Sequence, residues 1–155
     1  MTDSHSHLHN LEAAAAILQQ QGVTTAIHCG DICSSASVQA LSALQVHWVF
    51  GNCDTDHDSL RHTMQALGHT CHGLVGSLVI GSHSIGFTHG HQRHLLDELI
   101  DDGRHHVVCH GHTHTTRDET VGGVRVLNSG ALSHAQPTTL MVLDPTTGQA
   151  RWLVV

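Results

Sequence analysis

The sequence predicts an α/β fold of two sheets packed face to face with helices outside. Three observations carry this expectation. The first half alternates short β-rich runs with helical stretches. The second half is dominated by paired strands joined over tight turns. Most of the short polar fragments in the chain directly follow an apolar run.

Taken in order, Asn10 reads as the N-cap of a helix over Leu11–Gln21 that Gly22 stops. Leu11, Ala14, Ala15 and Leu18 give it an apolar face at the i, i+3, i+4, i+7 spacing. Thr25–Cys29 is a β-rich run leading straight into Gly30-Asp31. A second helix is expected over Ser35–Leu44, then the apolar strand Val46–Phe50 running into Gly51-Asn52. A third helix starts after Asp56 or Asp58 and ends at Gly68. Leu78–Ile80 and Ile85–Thr88, separated by Gly81-Ser82-His83, read as a hairpin ending at His89. Leu95–Asp102 is a helix stopped by Gly103, and His106–Cys109 is a strand emptying into Gly111-His112-Thr113-His114. Two more hairpins follow, one pairing Arg117–Thr120 with Val124–Leu127 over Gly122-Gly123. The other pairs Thr139–Leu143 with Ala150–Val154 around Pro145–Gly148. No repeat or linker interrupts the chain, so residues 1–155 read as one domain.

Composition narrows the function classes. A chain of 155 residues, 39% of them hydrophobic, is long enough to bury about two-thirds of its unfolded surface. No apolar stretch approaches the ~18 residues that span a bilayer, and the start lacks the basic and apolar regions of a secretory signal. The formal charge is −7, from 13 acids against six arginines, and lysine is absent. That excludes Schiff-base chemistry and the lysine of a phosphate-binding loop. It also argues against general nucleic-acid binding, which needs a basic surface. Five cysteines without paired spacing point to reduced thiols in a cytoplasm, with Cys29 and Cys109 as buried small hydrophobes. Histidine is the outlier at 19 residues, and an alternating set such as His5, His7 and His9 would hold adventitious metal. A histidine-rich metal-storage protein is therefore one alternative, predicting many weak sites rather than ordered ones.

The chemistry is carried by five fragments in a fixed order: Asp3-Ser4-His5, Gly30-Asp31, Gly51-Asn52-Cys53-Asp54, Thr88-His89-Gly90-His91 and Gly111-His112-Thr113-His114. Each joins a carboxylate, amide or imidazole to a small residue. Active sites of open α/β sheets lie beyond the carboxyl ends of the strands, where most of these fragments fall. Asp3, Asp31, Asn52, His89, His112 and His114 form a mixed oxygen and nitrogen set suited to Mn, Fe, Zn or Ni. Two such ions ~3.5–4 Å apart clamp a phosphoryl group and deprotonate a shared water.

These fragments resemble the calcineurin-like metallophosphoesterases, specifically their small single-domain phosphodiesterase branch, over nearly the whole chain from Asp3 onwards. The resemblance implies a four-layer α/β/β/α sandwich of two mixed sheets flanked by helices. It places Asp3, His5 and His114 on a first metal, Asp31 between both metals, and Asn52, His89 and His112 on the second. It further implies two divalent ions, manganese first with iron, nickel or zinc as alternatives, and a bridging hydroxide that attacks phosphorus in line. The third residue of Gly-Asn-x-Asp, often a proton-donating histidine in the wider superfamily, is here Cys53. A thiol with a pKa of about 8.5 is a poor acid, so His91 becomes the candidate general acid. Asp54 would orient the site, and Asn52 joins the catalytic set. Esters with good leaving groups should then react fastest. The Asn-Pro-Gly-Ser loop of the family survives as Asn128-Ser129-Gly130-Ala131.

Family members carry an apolar strand before the first fragment, whereas only Met1 and Thr2 precede Asp3 here. The first strand is therefore expected to be missing or very short. That would leave Asp3 and His5 on a frayed terminus, weaken the first metal site and expose an edge that favours a homodimer. The function expected is hydrolysis of a small phosphate ester, above all a diester. The alternative is a non-catalytic scaffold or inactive relative, since a retromer subunit of eukaryotes resembles the same branch.

Overall fold

Alternation of apolar and polar residues in the short runs builds ten strands, and the helical stretches build four helices. The computed structural model describes all of residues 1–155. A parallel sheet has the order β1-β2-β3, from β1 (Thr25–His28), β2 (Gln45–Trp48) and β3 (Thr70–Cys71). The second sheet is mixed, β4-β5-β6-β8-β7, from β4 (Val75–Ile80), β5 (His83–Thr88), β6 (Val107–His110), β7 (Thr116–Val121) and β8 (Val124–Ser129). β9 (Thr139–Leu143) and β10 (Ala150–Val154) form the last hairpin at the expected bounds. The two-residue β3 carries too little pattern to be read from sequence.

Three apolar layers separate four structural ones, as expected. The helices α1 (Leu8–Gln20), α2 (Ser35–Ala40) and α3 (His57–Ala66) close over the first sheet with Leu11, Val38, Leu60 and Met64 against Val46 and Trp48. Between the sheets lie Cys29, Val49, Ile85, Phe87, Val107, Cys109 and Leu127. On the outer face, α4 (Arg93–Asp101) lays Leu96, Leu99 and Ile100 on Val108, Val124 and Val126. The successive residues Val107, Val108 and Cys109 thus face different layers, the period of a strand buried on both sides. Cys29 and Cys109 are buried as expected, and burial pushes the Cys109 thiol up to about 11. No helix is long and apolar enough to cross a membrane.

Helix starts differ where a tertiary bond outcompetes a local cap. α1 begins before Asn10, with His7 as an N-cap that makes no side-chain bond. Asn10 lies inside the helix and donates its amide to the Leu132 carbonyl at 2.6 Å, tying α1 to the far end of the chain. α2 is shorter than expected: Ser34 caps it by accepting from the Ser37 N–H, and Leu41 already ends it. Asp56 caps α3 through the Ser59 N–H at 3.1 Å.

No strand forms ahead of β1, so the expected first strand is missing, yet the terminus is not frayed. The Met1 ammonium donates to the Ile27 carbonyl, Cys29 N–H to Met1, and Asp3 N–H to Gly30, each at 3.0 Å. On the opposite side Leu132 and Ser133 donate to the carbonyls of Thr2 and Asp3, both at 3.1 Å. Thr2, Asp3 and Ser4 are fully buried by this double ladder. Beyond Met1 the row between β1 and β9 is an apolar channel lined by Ala26, Ile27, Leu140 and Met141.

Thr2 anchors the ladder through its hydroxyl, 2.7 Å from an oxygen of buried Asp3 and 3.2 Å from the Cys29 carbonyl. Thr2→Val keeps the shape and removes a charge-assisted bond, so it should cost about 2 kcal/mol in urea denaturation at pH 7. An unchanged midpoint would contradict this account of the terminus.

Candidate metal centre

The loops that leave β1, β2, β5 and β6 gather at one edge with the Asp3–His5 turn. Close approach is built into two of their glycines. A Cβ on Gly51 would strike the Asp31 carboxylate, and one on Gly111 would strike the Thr2 hydroxyl and lie 2.7 Å from Asp3 Oδ2. Glycine at these places lets backbone sit directly against the carboxylates.

Asp54 sets the geometry of this edge without facing into it. Its Oδ1 accepts the N–H groups of Ile32 and Cys33, both at 2.7 Å. Its Oδ2 accepts those of Gly51 at 2.7 Å and Asp31 at 3.0 Å. The side chain is buried and fully engaged, so its part in the site is to position two loops.

Asp3, His5 and His114 converge with their ligand atoms within 4.8 Å of one another. Asp3 Oδ2 is held by the Thr2 hydroxyl and by the His112 N–H at 3.0 Å. Its Oδ1 faces His114 Nε2 at 3.2 Å and the Nε2 atoms of His5 and His89 at 3.9 Å. Asp31 lies between this group and the next. One of its oxygens is 3.5 Å from His5 Nε2, the other 3.4 Å from His89 Nε2, the latter also accepting the Cys53 N–H at 2.9 Å. Asp3, Asp31 and His89 form a second convergent group. His89 Nδ1 lies 2.7 Å from the Cys29 carbonyl, which directs Nε2 inward to within 3.2 Å of Asn52 Oδ1. The His112 ring packs edge-on against His89 at 5.2 Å, outside the groups of donors within 4.8 Å. His91 stands 5.4 Å from His89 and 6.3 Å from His112, ring to ring.

Three neighbours lie outside the ligand set that the resemblance implies. Cys53 forms a third convergent group with His5 and Asp31. The Cys33 sulfur is 3.7 Å from His5 Nδ1. His134 places its ring 5.2 Å from His5 and 6.3 Å from His114, brought there by the Ser133 tether to Asp3. Cys53 was legible from its place in Gly-Asn-x-Asp, whereas nothing local distinguishes His134 from the other histidines.

The electrostatics call for a cation. Burial opposes the charge on Asp31, but bonds from His89 and the Cys53 N–H outweigh it and hold the carboxyl below the usual range. Burial likewise lowers His89, and Asp31 and Asp3 more than compensate, so its pKa is raised. Burial and the rings of His89 and His112 lower His91, leaving it uncharged at neutral pH. Burial and Asp31 raise the Cys53 thiol, which stays protonated. Asp3 Oδ1 and His5 Nε2 are buried with no hydrogen-bond partner. Unpartnered buried acceptors facing one another fit divalent cations, which would replace protons as the counter-charge. Asp3, His5, Asp31, His112 and His114 also all have left-handed backbone, with φ between +41° and +69°.

Comparison with known proteins agrees in fold and chemistry. Residues 1–148 match the calcineurin-like phosphoesterase superfamily domain. Phosphodiesterase MJ0936 of Methanocaldococcus jannaschii is 30% identical over 135 residues, covering 84% of this chain and 80% of that protein. The structure of an archaeal phosphodiesterase superposes with a TM-score of 0.92 at 29% identity, covering 100% of this chain and 97% of the other. Vps29 of Entamoeba histolytica, solved with zinc, shares the fold at a TM-score of 0.64 and 22% identity, over 90% of this chain and 87% of its own.

Two outcomes are expected. Mn²⁺ at a hundredfold excess over its Kd should stabilise the chelated protein by about 2.7 kcal/mol, roughly 5–10 °C in Tm, and Asp31→Asn should abolish the shift. Asp54→Asn sets an amide against two N–H groups and should cost about 3 kcal/mol in denaturation while reducing the Mn²⁺ response. A wild-type Tm indifferent to Mn²⁺ and chelator would contradict the first, and an unchanged denaturation midpoint the second.

Proposed function

Because the chain belongs to the calcineurin-like phosphoesterase superfamily, we propose that it is a metal-dependent phosphodiesterase working through a dinuclear centre. One observation carries the dinuclear reading: the two oxygens of Asp31 face opposite ways, one toward His5 and the other toward His89. Asp3, His5 and His114 would hold one ion, and Asn52, His89 and His112 the other, with Asp31 shared. Such a pair would supply charge for the phosphoryl oxygens and a hydroxide nucleophile at neutral pH. Manganese suits this oxygen and nitrogen set, with iron, nickel or zinc as alternatives.

The protein's own groups would do the rest. Asp54 holds Asp31 and the Gly51 turn in register. His89 is oriented by the Cys29 carbonyl, in the manner of a ligand fixed through its second nitrogen. Asn52 and His91 flank the place where the ester would lie. Burial and the rings of His89 and His112 lower the His91 pKa, so at neutral pH it would seldom carry the second proton of an imidazolium, and leaving groups stable as anions should depart fastest. The reading takes residues 1–155 as one cytoplasmic catalytic domain for a small diester, without nucleic-acid or membrane binding.

A non-catalytic scaffold is the second reading, favoured by the likeness in fold to Vps29. Retention of the whole donor set weighs against it. Purified protein with Mn²⁺ should hydrolyse bis-p-nitrophenyl phosphate, and His112→Ala should lower kcat/KM at least about a hundredfold, a loss of ~2.7 kcal/mol. Folded protein without turnover would leave the scaffold standing.

A further inference from the structure

The chain has six arginines and no lysine, so two cations converging on one place form a third of its permanently basic side chains. Arg93 and Arg117 do so beside the candidate metal centre. They line a cleft of about 310 Å³ with His110, Thr113, Thr115 and Thr116; no carboxylate is among the lining residues, although Asp97 and Glu119 pair with the two guanidinium groups. Gly90, which lies between His89 and His91, also lines it, and Thr113 lies between His112 and His114. The cleft thus borders both histidine loops of the centre.

Both guanidinium groups are ion-paired, and each keeps N–H donors beyond those its partners use. Arg93 spends only Nε on Asp97, at 2.8 Å, which leaves both terminal amino groups for a ligand. Arg117 is fixed by Glu119 and by His110, whose Nε2 lies 3.2 Å from its terminal nitrogen. His110 is itself fixed, with Nδ1 3.0 Å from the Gly111 carbonyl. The other four arginines serve elsewhere. Arg61 lies over Phe50, Arg104 pairs with Asp102, Arg125 with Asp118, and Arg151 donates to Gln21.

We propose that this cleft binds a second anionic group of the substrate, so that the preferred diester carries an additional phosphate on one of its arms. The specificity assignment rests on the phosphodiesterase reading, whereas the anion site does not. Planar guanidinium donors and the hydroxyls of Thr113 and Thr116 match phosphate oxygens, while Thr115 already donates to the Thr113 carbonyl. Asp97 and Glu119 balance the two guanidinium charges, so an incoming anion would be held by N–H and hydroxyl donors in competition with those carboxylates.

Two experiments separate the parts. In the first, inorganic pyrophosphate is titrated into chelated protein while the arginine Nε–Hε NMR signals are followed. Saturable shifts at Arg93 and Arg117, lost in the R93Q/R117Q variant, are expected. No saturation, or equal shifts at all six arginines, would overturn the site. The second compares, with Mn²⁺, the p-nitrophenyl ester of thymidine 5′-phosphate with the same ester bearing a 3′-phosphate. The added phosphate should raise kcat/KM by about tenfold or more in the wild type, and R93Q/R117Q should erase that advantage while sparing the simpler ester. Equal turnover of both esters by the wild type would overturn the specificity. Saturable pyrophosphate binding without hydrolysis of either ester would support the cleft and sink the phosphodiesterase reading.

Discussion

One carboxylate organises the edge where the candidate metal ligands gather. Asp54 collects four backbone N–H groups from two loops, and each of those loops carries ligand-forming side chains. The Asp31–Cys33 turn and the Gly51 turn have no regular ladder to hold them, so their buried donors depend on this side chain. The Cys53 N–H is thereby brought onto Asp31 Oδ1, which fixes the carboxylate as well as its loop. A residue so fully engaged has no free lone pair aimed at a substrate. Its influence on the candidate site passes through Asp31.

The second constraint is charge. Asp3 and Asp31 are buried side by side in a chain whose basic side chains are few. Asp31 and Asp3 raise the His89 pKa and so favour a proton on its inward-facing ring nitrogen. That proton occupies the lone pair a metal would need, so protons and cations compete for one inward-facing nitrogen. The double ladder around Met1–Asp3 keeps the first carboxylate inside this arrangement, although only two residues precede it.

Much of this was legible in the residues. The helical and β periods locate the main elements, and the closing hairpin falls at its expected bounds. Asp3, His5, Asp31, Asn52, His89 and His114 meet at one edge because their fragments follow strands of the two sheets or pair with them. His112 adjoins them through its ring. What escaped depends on contacts between distant segments. α1 starts where the Ser4–His7 turn places it, not where Asn10 predicts. The three-residue ladder at the terminus has no pattern of its own and forms because β1 and residues 131–133 offer partners on both sides. The engagement of Asp54 and the nearness of His134 arise the same way. A local sequence window contains none of those partners.

The left-handed backbone at five candidate ligands reaches beyond catalysis. Side chains with a Cβ hold that conformation at a cost of about 1 kcal/mol or more each, which glycine would avoid. Selection for folding alone would therefore tend to replace the three histidines by glycine, whereas the bonds that buried Asp3 and Asp31 accept would keep the two aspartates. A descendant freed from metal chemistry should drift first at the histidine positions while keeping its core and its Asp54 hub. Glycines spreading through the three histidine places would mark such a descendant before any change in its architecture.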